Sequence, residues 1–132
     1  MGKDNVVSEE GCKILNRLHG RNHLFVIIEL GAKGKYAIKV PYSGIPSLWE
    51  RGDALTLHSE ACTMKHIRRM CNAPIPEVFD WNETYENTLG APYILMRAVT
   101  GISARELFNH SDEDFRDTFT KNLVHILSKM NV

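Results

Sequence analysis

Leu24-Phe-Val-Ile-Ile-Glu-Leu30, Gly31-Ala-Lys-Gly34 and Lys35-Tyr-Ala-Ile-Lys-Val40 form one continuous stretch, and its reading decides the fold. The outer segments are rich in β-branched and aromatic residues, as strands are. A short loop with two glycines joins them, which predicts an antiparallel hairpin. In the second strand Tyr36, Ile38 and Val40 share one face, and Ala37 and Lys39 share the other. A small residue beside an inward lysine would leave room for a flat ligand and offer a cation to its phosphates.

Upstream of the hairpin, Lys13-Ile-Leu-Asn-Arg-Leu18 admits a third strand or a short helix and is assigned to strand. Downstream, Pro41 ends the second strand, and a loop with Gly44, Pro46 and Gly52 follows. Asp53 is the expected helix N-cap, with helical periodicity over 54–71. Asn72-Ala-Pro-Ile-Pro76 stops that helix. Glu77-Val-Phe-Asp-Trp81 reads as a short strand. Pro92-Tyr-Ile-Leu-Met96, almost continuously apolar, reads as a strand buried on both faces. A short helix over 103–108 and a last helix opened by Ser111-Asp-Glu-Asp114 complete the chain. Local antiparallel pairing without strand–helix alternation makes this α+β, a small antiparallel sheet with one packed helix.

On the helix, Leu57, Ala61, Met64, Ile67 and Cys71 recur at spacings of three or four and form an apolar stripe. Glu60 falls on that stripe, while Lys65, Arg68 and Arg69 take the wetter side. A glutamate placed there is costly unless paired. Lys39 is its natural partner, although spacing alone equally permits a solvated lysine and a glutamate at the border of the stripe.

The 132 residues suffice for one core. Sixteen basic residues balance sixteen acidic ones. Without net charge there is no global field to attract nucleic acid or an anionic membrane. No apolar run approaches the roughly 20 residues that span a bilayer. The start, MGKDNVVSEEGCKIL, lacks a signal-peptide stretch, and Val6 stands where a myristoylation signal wants Ser or Thr. A cytoplasmic setting is expected. Cys12, Cys62 and Cys71 form no CxxC pair, and Cys62 and Cys71 are expected to be buried small apolar groups. The six histidines show no metal-ligand spacing, so a metal held by protein ligands alone is not expected.

Tyr36-Ala-Ile-Lys39 resembles the V-A-I-K strand of protein kinases. With Asp53-Ala-Leu-Thr-Leu-His-Ser-Glu-Ala-Cys-Thr-Met-Lys-His-Ile-Arg-Arg69, Ala73-Pro-Ile-Pro-Glu-Val-Phe-Asp-Trp81 and Leu89-Gly-Ala-Pro-Tyr-Ile-Leu-Met96, the chain is similar over residues 11–130 to fungal proteins of the aminoglycoside phosphotransferase family. That family belongs to the protein-kinase-like superfamily. The resemblance implies a tail over 1–10, a nucleotide-binding lobe over 11–100 and the helical start of an incomplete second lobe over 101–132. It implies that Lys39 binds the phosphates of ATP and that Glu60 is its helix partner. Gly20-Arg-Asn-His-Leu-Phe25 looks like the phosphate-covering loop, with Gly20 and Asn22 at its tip and only one glycine. Met96, Arg97 and Ala98 match the hinge whose backbone holds the adenine edge, and Ala37 lies beside the base. Many relatives carry an acidic residue where Arg97 stands.

The resemblance also implies magnesium, held in such enzymes by a catalytic loop His-x-Asp-x-x-x-x-Asn and a later Asp. His110-Ser-Asp112 has the first spacing, but position 117 is Asp and Ser111 reads as a helix cap. Asp114-Phe-Arg116 imitates Asp-Phe-Gly with the wrong third residue. Both are read as decoys, leaving no catalytic residue and no metal ligand. The expected function is therefore a phosphotransferase lobe that binds ATP without transferring phosphate alone. The alternatives are a non-catalytic binding module, or a small-molecule kinase completed by a second chain. Phe115, Phe119, Leu123, Ile126, Leu127 and Met130 form an apolar stripe on the last helix, expected to be exposed or covered by a partner or a second copy.

Overall fold

The computed structural model describes residues 11–130. The tail expected over 1–10, with Val6, and the final Asn131-Val132 lie outside the described residues. Five strands form one sheet, β1 (Cys12–His19), β2 (His23–Leu30), β3 (Lys35–Pro41), β4 (Val78–Asn82) and β5 (Tyr93–Arg97), in the order β1-β2-β3-β5-β4. Every pairing is antiparallel. Helix α1 (Arg51–Met70) packs on the sheet, and α2 (Ala104–Asn109) and α3 (Glu113–Ser128) follow. The α+β expectation holds, and the ambiguous segment upstream of the hairpin is strand β1, with an irregularity between Ile14 and Asn16.

The β2–β3 hairpin closes through a single 3-10 turn, Gly31–Lys33, and the Leu30 amide donates to the Gly34 carbonyl at 2.9 Å. Gly34 has φ +95°, a region in which a side chain is strained. After β3, Gly44 packs so closely on Pro92 that a Cβ there would lie 2.8 Å from the proline ring. That contact fixes the loop carrying Trp49, whose indole N–H donates to the Glu83 carbonyl at 2.7 Å.

Two boundaries and the burial of one strand differ from the sequence expectation. Helix α1 starts two residues before Asp53, with Glu50 at the cap; the Asp53 carboxylate, two residues inside the helix, accepts from the Glu50 amide at 3.0 Å. A capping carboxylate reads the same from sequence whether it sits at the cap or at the third helical position. In α3 the cap is Asp112, whose carboxylate accepts from the Phe115 amide at 2.8 Å. Ser111 instead donates its hydroxyl to the Leu107 carbonyl. β5 is buried on one face only: Ile94 and Met96 point into the core, while Tyr93, Leu95 and Arg97 are half-buried. Among the described residues no second layer covers its outer face, so the apolar run overstated its burial.

The core is the space between α1 and the sheet, filled by Ala37, Leu57, Ala61, Val78, Ile94 and Met96, with Ile27, Trp49, Met64 and Trp81 around it. Ala61 is 0% exposed, and its small side chain lets helix and sheet approach closely. Cys62 is exposed and Cys71 half-buried, contrary to the expectation that both are interior. The α1 stripe turns Cys62 onto a flank, because a helix advances about 100° per residue.

Candidate functional site

The inner face of the hairpin carries the chemistry. His23, Phe25 and Ile27 on β2 lie opposite Pro41, Lys39 and Ala37 on β3, so these alternate residues share one surface. Lys39 is directed from this surface toward α1, where Asp53, Thr56 and Glu60 line one flank of the core stripe. Its ammonium forms an ion pair with Glu60 Oε1. Only 15% of the lysine side chain is exposed, against 36% for the glutamate. The ammonium also lies 6.0 Å from the centre of the Phe25 ring. The pairing drawn from the apolar stripe is therefore present in the structure.

The pair opens onto a cavity of about 190 Å³. Asn22, His23, Pro41 and Ser43 line it from the hairpin and its flanking turns, and Asp53, Thr56 and Leu57 line it from α1. Buried Ile94 of β5 also lines it. Burial holds the His23 imidazole below its ordinary pKa, and the Lys39 charge acts in the same direction, with Glu60 opposing both. A neutral imidazole is the consequence near neutral pH.

The residues drawn from sequence divide into two groups. Lys39, Glu60 and Asn22 meet at the cavity. Gly20 stays in the β1–β2 turn, its amide donating to the His23 carbonyl at 2.8 Å, and does not line the cavity. Ala37 was expected to leave room for a flat ligand, but it belongs to the closed core with Leu57, Ala61 and Val78. Helix α1 fills that space. Met96 faces the same core. The hinge backbone is also engaged: the Arg97 amide donates to the Glu77 carbonyl at 2.8 Å, and the Ala98 amide to the Lys35 carbonyl at 3.2 Å. These amides are not free for a ligand, and Val99, 74% exposed, is the first residue past those bonds.

Arg97 does not bring a charge to the cavity. It lies on the outer face, its guanidinium 4.5 Å from the Tyr36 ring centre and 4.9 Å from that of Phe79. It donates to the Lys33 carbonyl at 3.1 Å and so ties β5 to the hairpin turn. Sequence reasoning missed His23, Ser43 and Thr56 as cavity residues. The signal for His23 was available, since it shares strand parity with Phe25 and pairs across from the end of the lysine strand. Thr56 had a signal too, four residues before Glu60 on the same helix, whereas Ser43 gave none, because loop geometry brings it in.

Among the described residues no three His, Cys, Asp or Glu side chains converge as a metal site, and no helix is long and apolar enough to cross a membrane. Asp112 is occupied as the α3 cap, and Asp114 lies exposed in the first turn of that helix.

No family model matches the chain, and no solved structure matches it. A subtelomeric hrmA-associated cluster protein of Aspergillus fumigatus, in each of two strains, is 45% identical over 60 residues, covering 44% of this chain and 12% of the relative. The protein of Yarrowia lipolytica called altered inheritance of mitochondria protein 9, mitochondrial, is 29% identical over 106 residues, covering 76% of this chain and 18% of that protein. The chain thus spans less than a fifth of the length of these curated relatives.

Proposed function

We propose that this chain is the nucleotide-gripping lobe of a kinase-like phosphotransferase of the aminoglycoside phosphotransferase type, with Lys39 meeting the phosphates of ATP. The observation that carries this reading is the Lys39–Glu60 pair, a largely covered lysine held by a helix carboxylate at the mouth of a cavity. An ammonium fixed in this way is an aimed point charge, ready to meet a phosphate without losing further side-chain freedom. Neutral His23 and the Asn22 amide add hydrogen-bonding groups that do not repel an anion.

The cavity, about 190 Å³, is smaller than the roughly 300–1,000 Å³ of sites that enclose a whole organic ligand. It suits the phosphate end of a nucleotide. The base would lie outside it, meeting the chain from Val99 onward. The residues present do not fit a resident magnesium ion. Glu60 is engaged by Lys39, and Asp53 by the Glu50 amide. No step is assigned to that ion. Phosphoryl transfer would require a base and a metal-binding carboxylate supplied by further sequence or by a second chain.

Isothermal titration with ATP, with and without magnesium, tests the proposal. Wild-type protein is expected to bind, Lys39→Ala to lose binding, and Glu60→Gln to weaken it by about tenfold through a less firmly held lysine. A folded wild-type protein that releases no binding heat, or equal affinity in Lys39→Ala, would overturn the assignment.

A further inference from the structure

Helix α1 has two flanks, one on each side of its core stripe. Asp53, Thr56 and Glu60 face the cavity, while Cys62, Lys65 and Arg69 turn toward β4, about 100° of helix rotation per residue setting the two apart. Between that second flank and β4 runs an open groove of about 740 Å³. β4 is an edge strand of the sheet.

The groove is strongly basic. Lys65, His66, Arg68 and Arg69 line it, and Glu77 is its only acidic residue. The chain as a whole balances sixteen bases against sixteen acids, so this excess is local. Among the described residues the ion pairs are Lys39–Glu60 and His58–Glu83, so Lys65, Arg68 and Arg69 carry no carboxylate partner. The cations are nevertheless placed. The Lys65 ammonium lies 5.3 Å from the Trp81 ring centre, and Arg68 Nη1 donates to the Ile75 carbonyl at 2.7 Å.

We propose that the groove between α1 and β4 is a docking site for a short acidic peptide segment of a partner protein. Charge complementarity selects the occupant: clustered arginine and lysine that outnumber the groove's one carboxylate, Glu77, match carboxylates presented along an extended strand. Trp81 adds an apolar floor for the peptide's side chains. Nucleic acid fits less well, because its affinity comes from many phosphate contacts over an extended basic surface, and here the cations are confined to one groove. This site is separate from the Lys39 cavity and does not depend on the nucleotide reading.

The test is fluorescence anisotropy with a labelled oligoglutamate peptide at low salt. Wild-type protein binds it, and added salt weakens the complex. Lys65→Glu with Arg69→Glu lowers affinity by on the order of tenfold or more. Both residues are exposed, and far-UV circular dichroism verifies that the helix survives. The milder pair Lys65→Gln with Arg69→Gln gives a smaller loss, which keeps the result readable if the reversal disturbs the fold. Lys121→Glu with Lys129→Glu makes the same change in net charge on α3 and leaves affinity unchanged. The proposal is overturned if wild-type protein fails to bind the peptide, if the α3 pair weakens binding as much as the groove pair, or if a single-stranded oligonucleotide binds the groove more tightly than the peptide.

Discussion

Helices α1 and α3 carry similar apolar patterns and meet different fates. Leu57, Ala61, Met64 and Ile67 recur at helical spacing on α1, as Phe115, Phe119, Leu123, Ile126 and Leu127 do on α3. On α1 the stripe closes against the sheet, burying Leu57 and Ala61. On α3 no residue is buried, and its aromatic contacts stay local, Phe119 meeting Phe108 of α2 and Phe115 of its own helix. Periodicity reports that a helix has an apolar face. The surface that receives the face is a separate fact, set by where the chain brings the sheet.

The largest effect that can break this contrast belongs to the α1 side. Ile94 is 1% exposed at the centre of the core. Ile94→Ala should cost about 2–5 kcal/mol, because methylene burial is lost and a cavity remains. The readout is a lower urea midpoint with an unchanged slope. A loss under ~1 kcal/mol would mean that helix and sheet are not closed together. Next comes Arg97→Ala, expected to cost about 1 kcal/mol from the lost contacts with Tyr36, Phe79 and the Lys33 carbonyl. ATP affinity should not change in that variant, since the side chain lies on the face away from the cavity.

Most of the fold was legible because its signals are local. The β2–β3 hairpin follows from strand composition and its glycine turn, and Glu60 stood out as an acid on an apolar stripe. The site was legible only in part. Two periodicities made Lys39 and Glu60 candidates for a pair, but spacing alone left a solvated lysine equally open, and the family resemblance was needed to favour the pairing. Ala37 illustrates the limit, since a small inward residue signals close approach without saying whether a ligand or a helix approaches. Here the helix does, through Ala61. The amides of Arg97 and Ala98 are a second case, because strand ends depend on pairing partners distant in sequence. The basic groove was half visible as Lys65, Arg68 and Arg69, and the sequence could not say that β4 turns this wetter side into a groove.

His23 sharpens the comparison on the α1 side with a smaller effect. Its pKa is held below the ordinary 6.5 in the folded chain, by burial first and by Lys39 second, with Glu60 opposing. The unfolded chain therefore takes up the proton first as pH falls. The neutral imidazole's contribution to stability is complete above pH 6.5 and is lost progressively as pH drops from there through the folded-state pKa. Urea midpoints between neutral and mildly acidic pH should fall less in His23→Gln than in the wild type. An NMR titration should find the His23 pKa raised toward its ordinary value in Lys39→Ala. An unmoved pKa would place the ammonium farther from the ring.

The smallest expected effect tests the other helix. Leu127 is 53% exposed on α3, so Leu127→Ala should change stability by no more than about 0.5 kcal/mol, as surface substitutions usually do. Phe119 is the useful contrast on the same helix, because it is half-buried against Phe108 and its truncation removes that contact. If the α3 face is open in solution, Phe119→Ala lowers the urea midpoint more than Leu127→Ala does, and neither loss varies with protein concentration. If a second copy covers the face, Leu127→Ala costs well over 1 kcal/mol and wild-type stability rises with concentration, because association favours the folded state by mass action. That result would remove the difference between the two helices, and melting curves at two protein concentrations are enough to decide it.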